Sequence, residues 1–127
     1  MLELPEAVLR GAGLSRQKLA AIRDLATRAE NRSLCLHRLG HMPDEDVITH
    51  LTQVRGIGRW TAEMMLLFRL GRPDVLAPND LGIQKGLMRV DGLKAMPTPK
   101  QVAARSEVWA PHRSVASWFL WRASELP

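Results

Sequence analysis

Two short stretches hold the groups that could do chemistry. In Leu51-Thr52-Gln53-Val54-Arg55-Gly56-Ile57-Gly58-Arg59-Trp60-Thr61-Ala62, an apolar helix runs into a turn whose two glycines bracket one apolar residue. Such a turn reverses the backbone and leaves N–H groups pointing outward at the positive end of the next helix, a cradle for phosphate. The same spacing also serves a plain interhelical turn. In the second stretch, Asp74-Val75-Leu76-Ala77-Pro78-Asn79-Asp80, a proline-containing loop ends on a carboxylate that opens a helix. The helix dipole favours the ionised form of Asp80. That position suits simple capping of the helix, a task open to Asn79 as well.

The elements that must position these groups read as helices. Ser15 is an N-cap, with Leu14 placed to staple onto Leu19, and its helix runs to about Ala26 or Arg28. Leu19, Ile22, Leu25 and Ala26 share one face, while Arg16, Lys18, Arg23 and Asp24 face away. Pro43-Asp44-Glu45-Asp46 starts a second helix, with carboxylates at its positive end and Val47, Ile48 and Leu51 on its buried side. Trp60 to Leu70 is apolar around much of its circumference, as a central helix packed on several sides would be. Asp74 to Asn79 should cross the surface as an extended loop, and Asp80 opens a helix to about Met88. Thr98-Pro99 starts another to about Val108, and a last helix from about His112 to Ala123 carries Val115, Ala116, Phe119 and Leu120 on its apolar face. With no alternation of the β type and no repeat, the fold class is all-α, a helical bundle in a single domain over residues 1–127.

Composition narrows the partners. A chain of 127 residues with 46% apolar content can bury one core, and 18 Lys+Arg against 13 Asp+Glu give a net charge of +5, the sign expected for a polyanion partner. Cys35 is the single cysteine, which excludes a disulfide framework, a four-cysteine zinc site and a cysteine-ligated iron–sulfur cluster. His37, His41, His50 and His112 show no metal-ligand spacing. No signal-peptide pattern and no membrane-length apolar run are present, which points to a soluble cytoplasmic protein, nucleoid-associated in a bacterium.

Taken in order, Gly13-Leu14-Ser15-Arg16-Gln17-Lys18, the glycine turn with Arg59-Trp60-Thr61-Ala62, the stretch Asp74 to Gly82, and Trp109-Ala110-Pro111-His112-Arg113-Ser114-Val115-Ala116 resemble the helix-hairpin-helix (HhH-GPD) DNA glycosylase superfamily. Within it the chain is most similar to the DNA-3-methyladenine glycosylase II branch. The resemblance covers roughly Leu14 to Trp121, with the hairpin at about residues 44–70 and the catalytic loop and helix at about 74–89.

The resemblance implies removal of alkylated bases from double-stranded DNA by hydrolysis of the N-glycosidic bond. Asp80 would be the catalytic aspartate, an ionised carboxylate beside a sugar of oxocarbenium character. One backbone phosphate would be gripped by the amides of Gly56 and Gly58, with Ile57, Arg55, Arg59 and Thr61 around it. Arg113 is a further candidate phosphate contact. A sodium or potassium ion would sit on the backbone carbonyls of Thr52, Val54 and Ile57, and no other cofactor is implied. Trp60 stands where lyase-competent members place a lysine, so the enzyme would be monofunctional. Trp60, Trp121 and Met64 match positions that line the base pocket, where an aromatic wall stacks on an electron-poor purine.

Relative to the family's catalytic domain, the sequence begins well inside, as an N-terminally truncated domain would. Self-association, or a partner supplying the missing N-terminal helices, is then an expected device. Three readings stay open: an alkylbase glycosylase, a non-enzymatic DNA-binding module or half-enzyme, and a glycosylase of another base specificity.

Overall fold

The computed structural model describes residues 3–127. Among them every regular element is helical, with no strand, and no helix is long and apolar enough to cross a membrane. The chain forms two compact units, Met1–Ala62 and Glu63–Pro127.

The first unit contains α1 (Glu6–Gly11), α2 (Arg16–Glu30), a tight turn of helix at Leu36–His41, α3 (Asp44–Leu51) and the start of α4 (Arg59–Met64). Ser15 caps α2, its hydroxyl accepting the Lys18 amide at 3.2 Å. The helix runs to Glu30, beyond the expected end, and Arg32 then turns the chain with φ of 60°. Leu19 is buried as expected, with Ile22, Leu25 and Ala26 half-buried. Arg23 and Asp24, expected to face away, are half-buried instead. The reason is polar: Arg23 donates to the Leu4 carbonyl at 3.0 Å, and Asp24 accepts the Arg55 amide at 2.7 Å. In α3 the three carboxylates occupy the first turn and Val47, Ile48 and Leu51 are buried.

In the second unit, the helix begun by α4 widens at Met65–Arg69, where the Leu70 amide reaches back to the Met65 carbonyl at 3.0 Å. It is not covered all round as the sequence suggested: Leu66 is buried, but Phe68 is 64% exposed. Three helices follow, α5 (Leu81–Val90), α6 (Pro99–Ser106) and α7 (Arg113–Glu125), with a short tight turn at Glu107–Trp109 before α7. A capping box starts α6, Thr98 accepting the Gln101 amide while the Gln101 side chain accepts that of Thr98. Ile83, Leu87, Val102 and Leu120 form the core of this unit, with Leu76, Trp109 and Trp121 packed against them. A fully buried aliphatic side chain of this kind contributes about 1.5–3 kcal/mol.

Helices α5 and α7 touch backbone to backbone. A Cβ on Gly86 would stand 2.0 Å from the Leu120 carbonyl oxygen and 2.6 Å from its carbon. This crossing rotates α7 away from the expected face. Ser117 and Leu120 point inward, while Val115 and Phe119 are 57% and 67% exposed along an open apolar groove of about 470 Å³ shared with Val90, Val108 and Trp109. A serine displaces larger apolar residues from the interior because its hydroxyl is needed there, its single proton shared between the Val75 and Arg113 carbonyls, each 2.9 Å away.

The loop before Asp80 is not on the surface, since Val75 and Ala77 are buried. Its backbone must therefore find partners inside the protein, and α7 supplies most of them. Ser114 Oγ accepts the Val75 amide at 2.9 Å, and the Ser114 amide donates to the Pro73 carbonyl at 3.0 Å. From α5, buried Gln84 donates to the Pro78 carbonyl at 2.8 Å. The Asp74 carboxylate grips the first residue of α7 three times, accepting Arg113 Nε at 2.7 Å, Nη2 at 2.8 Å and the Arg113 amide at 3.1 Å.

Two outcomes are expected. Gly86→Ala should cost about 3 kcal/mol of stability in urea unfolding, because the added Cβ would overlap the Leu120 backbone and force the two helices apart, whereas Gly40→Ala, with no atom within 4 Å of the added Cβ, should be nearly neutral. The Arg113 guanidinium holds the Asp74 carboxyl below its ordinary value of 3.8. The stability this pair contributes is fully present above pH 3.8 and is lost as pH falls below it through the depressed value. Asp74→Asn should therefore lower stability by about 1–2 kcal/mol at neutral pH, after allowance for partial solvent exposure, and flatten the acid limb of the stability curve below about pH 4.

Candidate functional site

Asp80 is reached by the stapled loop. A turn closed by its own amide on the Ala77 carbonyl at 3.1 Å leaves it extended, with φ of −75° and ψ of 124°, immediately before α5. It is the N-cap, and Asn79 beside it is not. Oδ1 accepts the Ile83 amide at 2.9 Å and, from α7, the Trp121 indole N–H at 2.9 Å. Two N–H donors and a helix N-terminus stabilise negative charge on this half-buried carboxylate and hold the oxygen in one place.

The indole reaches that oxygen only because residue 82 has no side chain. A Cβ on Gly82 would lie 2.7 Å from Trp121 Cδ1, 3.2 Å from its Nε1 and 3.1 Å from Asp80 Oδ1. Trp121 in turn stacks on Phe68, with ring centroids 5.7 Å apart and planes 17° from parallel. Asp80 and Trp121, separate candidates in the sequence, are thus joined by a hydrogen bond. Gly82 and Phe68 were not singled out. The signal for Gly82 is its spacing of four from Gly86, which puts two residues without side chains on one helix face. Phe68 lies within an apolar run that reads as core, and nothing in its spacing distinguishes it. Met64, one helical turn before Phe68, is half-buried.

The glycine turn belongs to the first unit, as does Trp60, which is 49% exposed in the first turn of α4. Thr52 ends α3, its hydroxyl donating to the Ile48 carbonyl at 2.7 Å. The turn is then closed by the Val54 amide on Leu51 and the Ile57 amide on Val54, both at 3.1 Å. Gly56 takes φ of 82°, where an added Cβ would also press on Ala21 at 3.1 Å. The Arg55 amide is held by Asp24, and that bond, followed by pairing with Arg28, keeps the Asp24 carboxyl below its ordinary range. The amides of Arg55 and Ile57 are therefore engaged inside the unit. Neither bond involves Gly56 or Gly58, which are exposed, as is Thr61.

Two arginines named as phosphate contacts have carboxylate partners. Arg59 forks onto Glu45 at 2.6 and 3.1 Å, which lowers the Glu45 carboxyl below its ordinary range. Arg113 is the partner of Asp74. His50 accepts the Cys35 amide at 3.0 Å, and among the described residues no cluster of histidine, cysteine and carboxylate side chains could hold a metal.

The chain is 36% identical over 120 residues to DNA-3-methyladenine glycosylase 1 of Schizosaccharomyces pombe, an alignment covering 94% of this chain and 53% of that protein. It is 37% identical over 123 residues to a putative DNA-3-methyladenine glycosylase of Bacillus subtilis, covering 97% of this chain and 43% of that one. A solved Schizosaccharomyces pombe 3-methyladenine DNA glycosylase in complex with abasic DNA superposes with a TM-score of 0.88 at 34% identity, over 98% of this chain and 61% of the other. The chain spans about half the length of the curated relatives it matches. Residues 1–112 match the family described as HhH-GPD superfamily base excision DNA repair protein, and the chain belongs to that family.

Proposed function

We propose that this protein excises alkylated, 3-methyladenine-type bases from double-stranded DNA by hydrolysing the N-glycosidic bond, leaving an abasic site in an intact strand. The observation that carries this reading is the Asp80 carboxylate, held on one oxygen by the Ile83 amide and the Trp121 indole. As the bond from C1′ to the base breaks, its electron pair leaves with the base. An alkylated base that is cationic in the nucleotide departs neutral and needs no proton. Positive charge develops on the sugar, where a fixed carboxylate lowers the barrier by charge stabilisation that requires no reorganisation. Water then forms the new bond to C1′, and its proton passes to Asp80 or to solvent. With Trp60 where a lysine would stand, no amine is supplied there for a Schiff base, so the strand is not cut.

The exposed amides of Gly56 and Gly58, with the start of α4, suit one backbone phosphate, a contact that positions DNA without reading sequence. The carbonyls of Thr52, Val54 and Ile57 offer hard, neutral oxygens of the kind an alkali cation takes. Sodium or potassium there would hold the turn in shape. A binding module without base release is the second reading, favoured by the bracing of the turn through Asp24 within the first unit.

Asp80→Asn separates the two. Base release from methylated duplex, read by alkaline cleavage at abasic sites, should fall by at least about 100-fold while duplex affinity stays within about twofold. Unchanged release would remove Asp80 from the reaction, and binding with no release by the native chain would favour the second reading. At Gly58, where an added side chain meets no atom within 4 Å, Gly58→Val should fold normally. It should weaken duplex binding and make the slope of log K against log salt shallower by about 1, the loss of one phosphate contact.

A further inference from the structure

Helix α7 turns Ser117 and Leu120 inward and carries Val115, Trp118 and Phe119 on its other side, each more than half exposed. Val90 at the end of α5 and Val108 before α7 are also more than half exposed, and the open groove runs between them and Phe119. Trp118, three residues from Val115, extends the same apolar face along the helix. Contiguous exposed apolar surface of a few hundred Å² marks an interaction site. We propose that this face of the second unit pairs with the same face of a second copy of the chain. A two-fold axis would lay the two α7 helices against each other, with Phe119 of each copy seated in the groove of the other. Ridge and groove share one face, so the surface can match itself, as a closed two-fold contact requires. His112 is the only titratable side chain among the described residues lining the groove, which therefore offers no fixed charge to select an acidic or basic partner. The exposed parts of Val90, Val108, Val115, Trp118 and Phe119 amount to roughly 500 Å², so two copies would bury about 1,000 Å² from these side chains alone, the floor for a specific interface. Each copy carries a net charge of +5, so long-range charge opposes the pairing and apolar burial has to drive it.

Sedimentation equilibrium of the purified 127-residue chain, without DNA, tests the pairing. The native chain should be mainly dimeric at about 50 μM, and added sodium chloride should tighten the dimer by screening like charge. Phe119→Glu, at an exposed position, should keep the native helix content by circular dichroism and raise the dimer dissociation constant by at least about 100-fold, because a two-fold contact counts each substitution twice. Val8→Glu, which removes an exposed apolar residue from α1 in the first unit, should leave the dimer unchanged. Hydrogen exchange of the native chain supplies a reading that needs no variant: protection over residues 113–122 should rise with protein concentration, while that of α1 stays constant. A chain monomeric at every concentration overturns the proposal and leaves the face to a different polypeptide. A dimer that Phe119→Glu does not weaken, one that salt dissociates, or a mass that climbs past two copies overturns it as well, the last because a two-fold contact is closed. Concentration-dependent protection confined to regions outside α7 would do the same.

Discussion

The second unit depends on one close approach, the packing of α5 against α7 with no side chain between Gly86 and the Leu120 carbonyl. Helices ordinarily pack 8–10 Å apart because side chains separate them, and a bare crossing is possible only where a glycine permits it. Its consequence is felt one turn earlier, where Gly82 allows the residue after Leu120 to lay its indole across the start of α5. The hydrogen bond from Trp121 to Asp80 follows from that crossing. A wider separation would leave the indole out of reach of the carboxylate, whatever the identity of either residue.

Helix α7 holds the same carboxylate from its other side. The loop leading to Asp80 is fastened to the first turns of α7 by Asp74 with Arg113, by Ser114 and by Ser117. One rigid element thus restrains Asp80 through the chain that precedes it and through the indole that meets it. A group that must stabilise charge without reorganising needs its surroundings fixed in this way. Here the fixing is done by ordinary means, since a buried loop has to satisfy its backbone, and the residues that satisfy it are anchored on the helix that carries Trp121.

Much of this was legible in the residues because local rules and tertiary demands agree. Ser15, Asp80 and Thr98 cap where cap chemistry requires, and Val47, Ile48 and Leu51 are buried where helical spacing puts them. The departures share a cause, polar groups drawn inward by a backbone that needed them. Asp24 and Arg23 turn inward toward amide and carbonyl partners in the first unit, and Ser117 takes a place that periodicity assigns to Val115 and Phe119. An amphipathic pattern weighs side chains by transfer from water and is blind to which carbonyl lacks a donor. Phe68 is the complementary case, an apolar residue left outside, because an apolar run states how much hydrophobic surface a helix has and not how much of it neighbours cover.

The bracing of the glycine turn bears on how binding and chemistry are divided. Asp24 holds the Arg55 amide from a helix of the first unit, and the Ile83 amide and the Trp121 indole that meet Asp80 belong to the second. Loss of the Asp24 carboxylate therefore acts on the shape of a phosphate-sized turn, and loss of the Trp121 N–H acts on the fixing of a charge. Under the proposed function, the first change would appear in DNA affinity at every sequence and the second in the rate of bond breaking on DNA already bound.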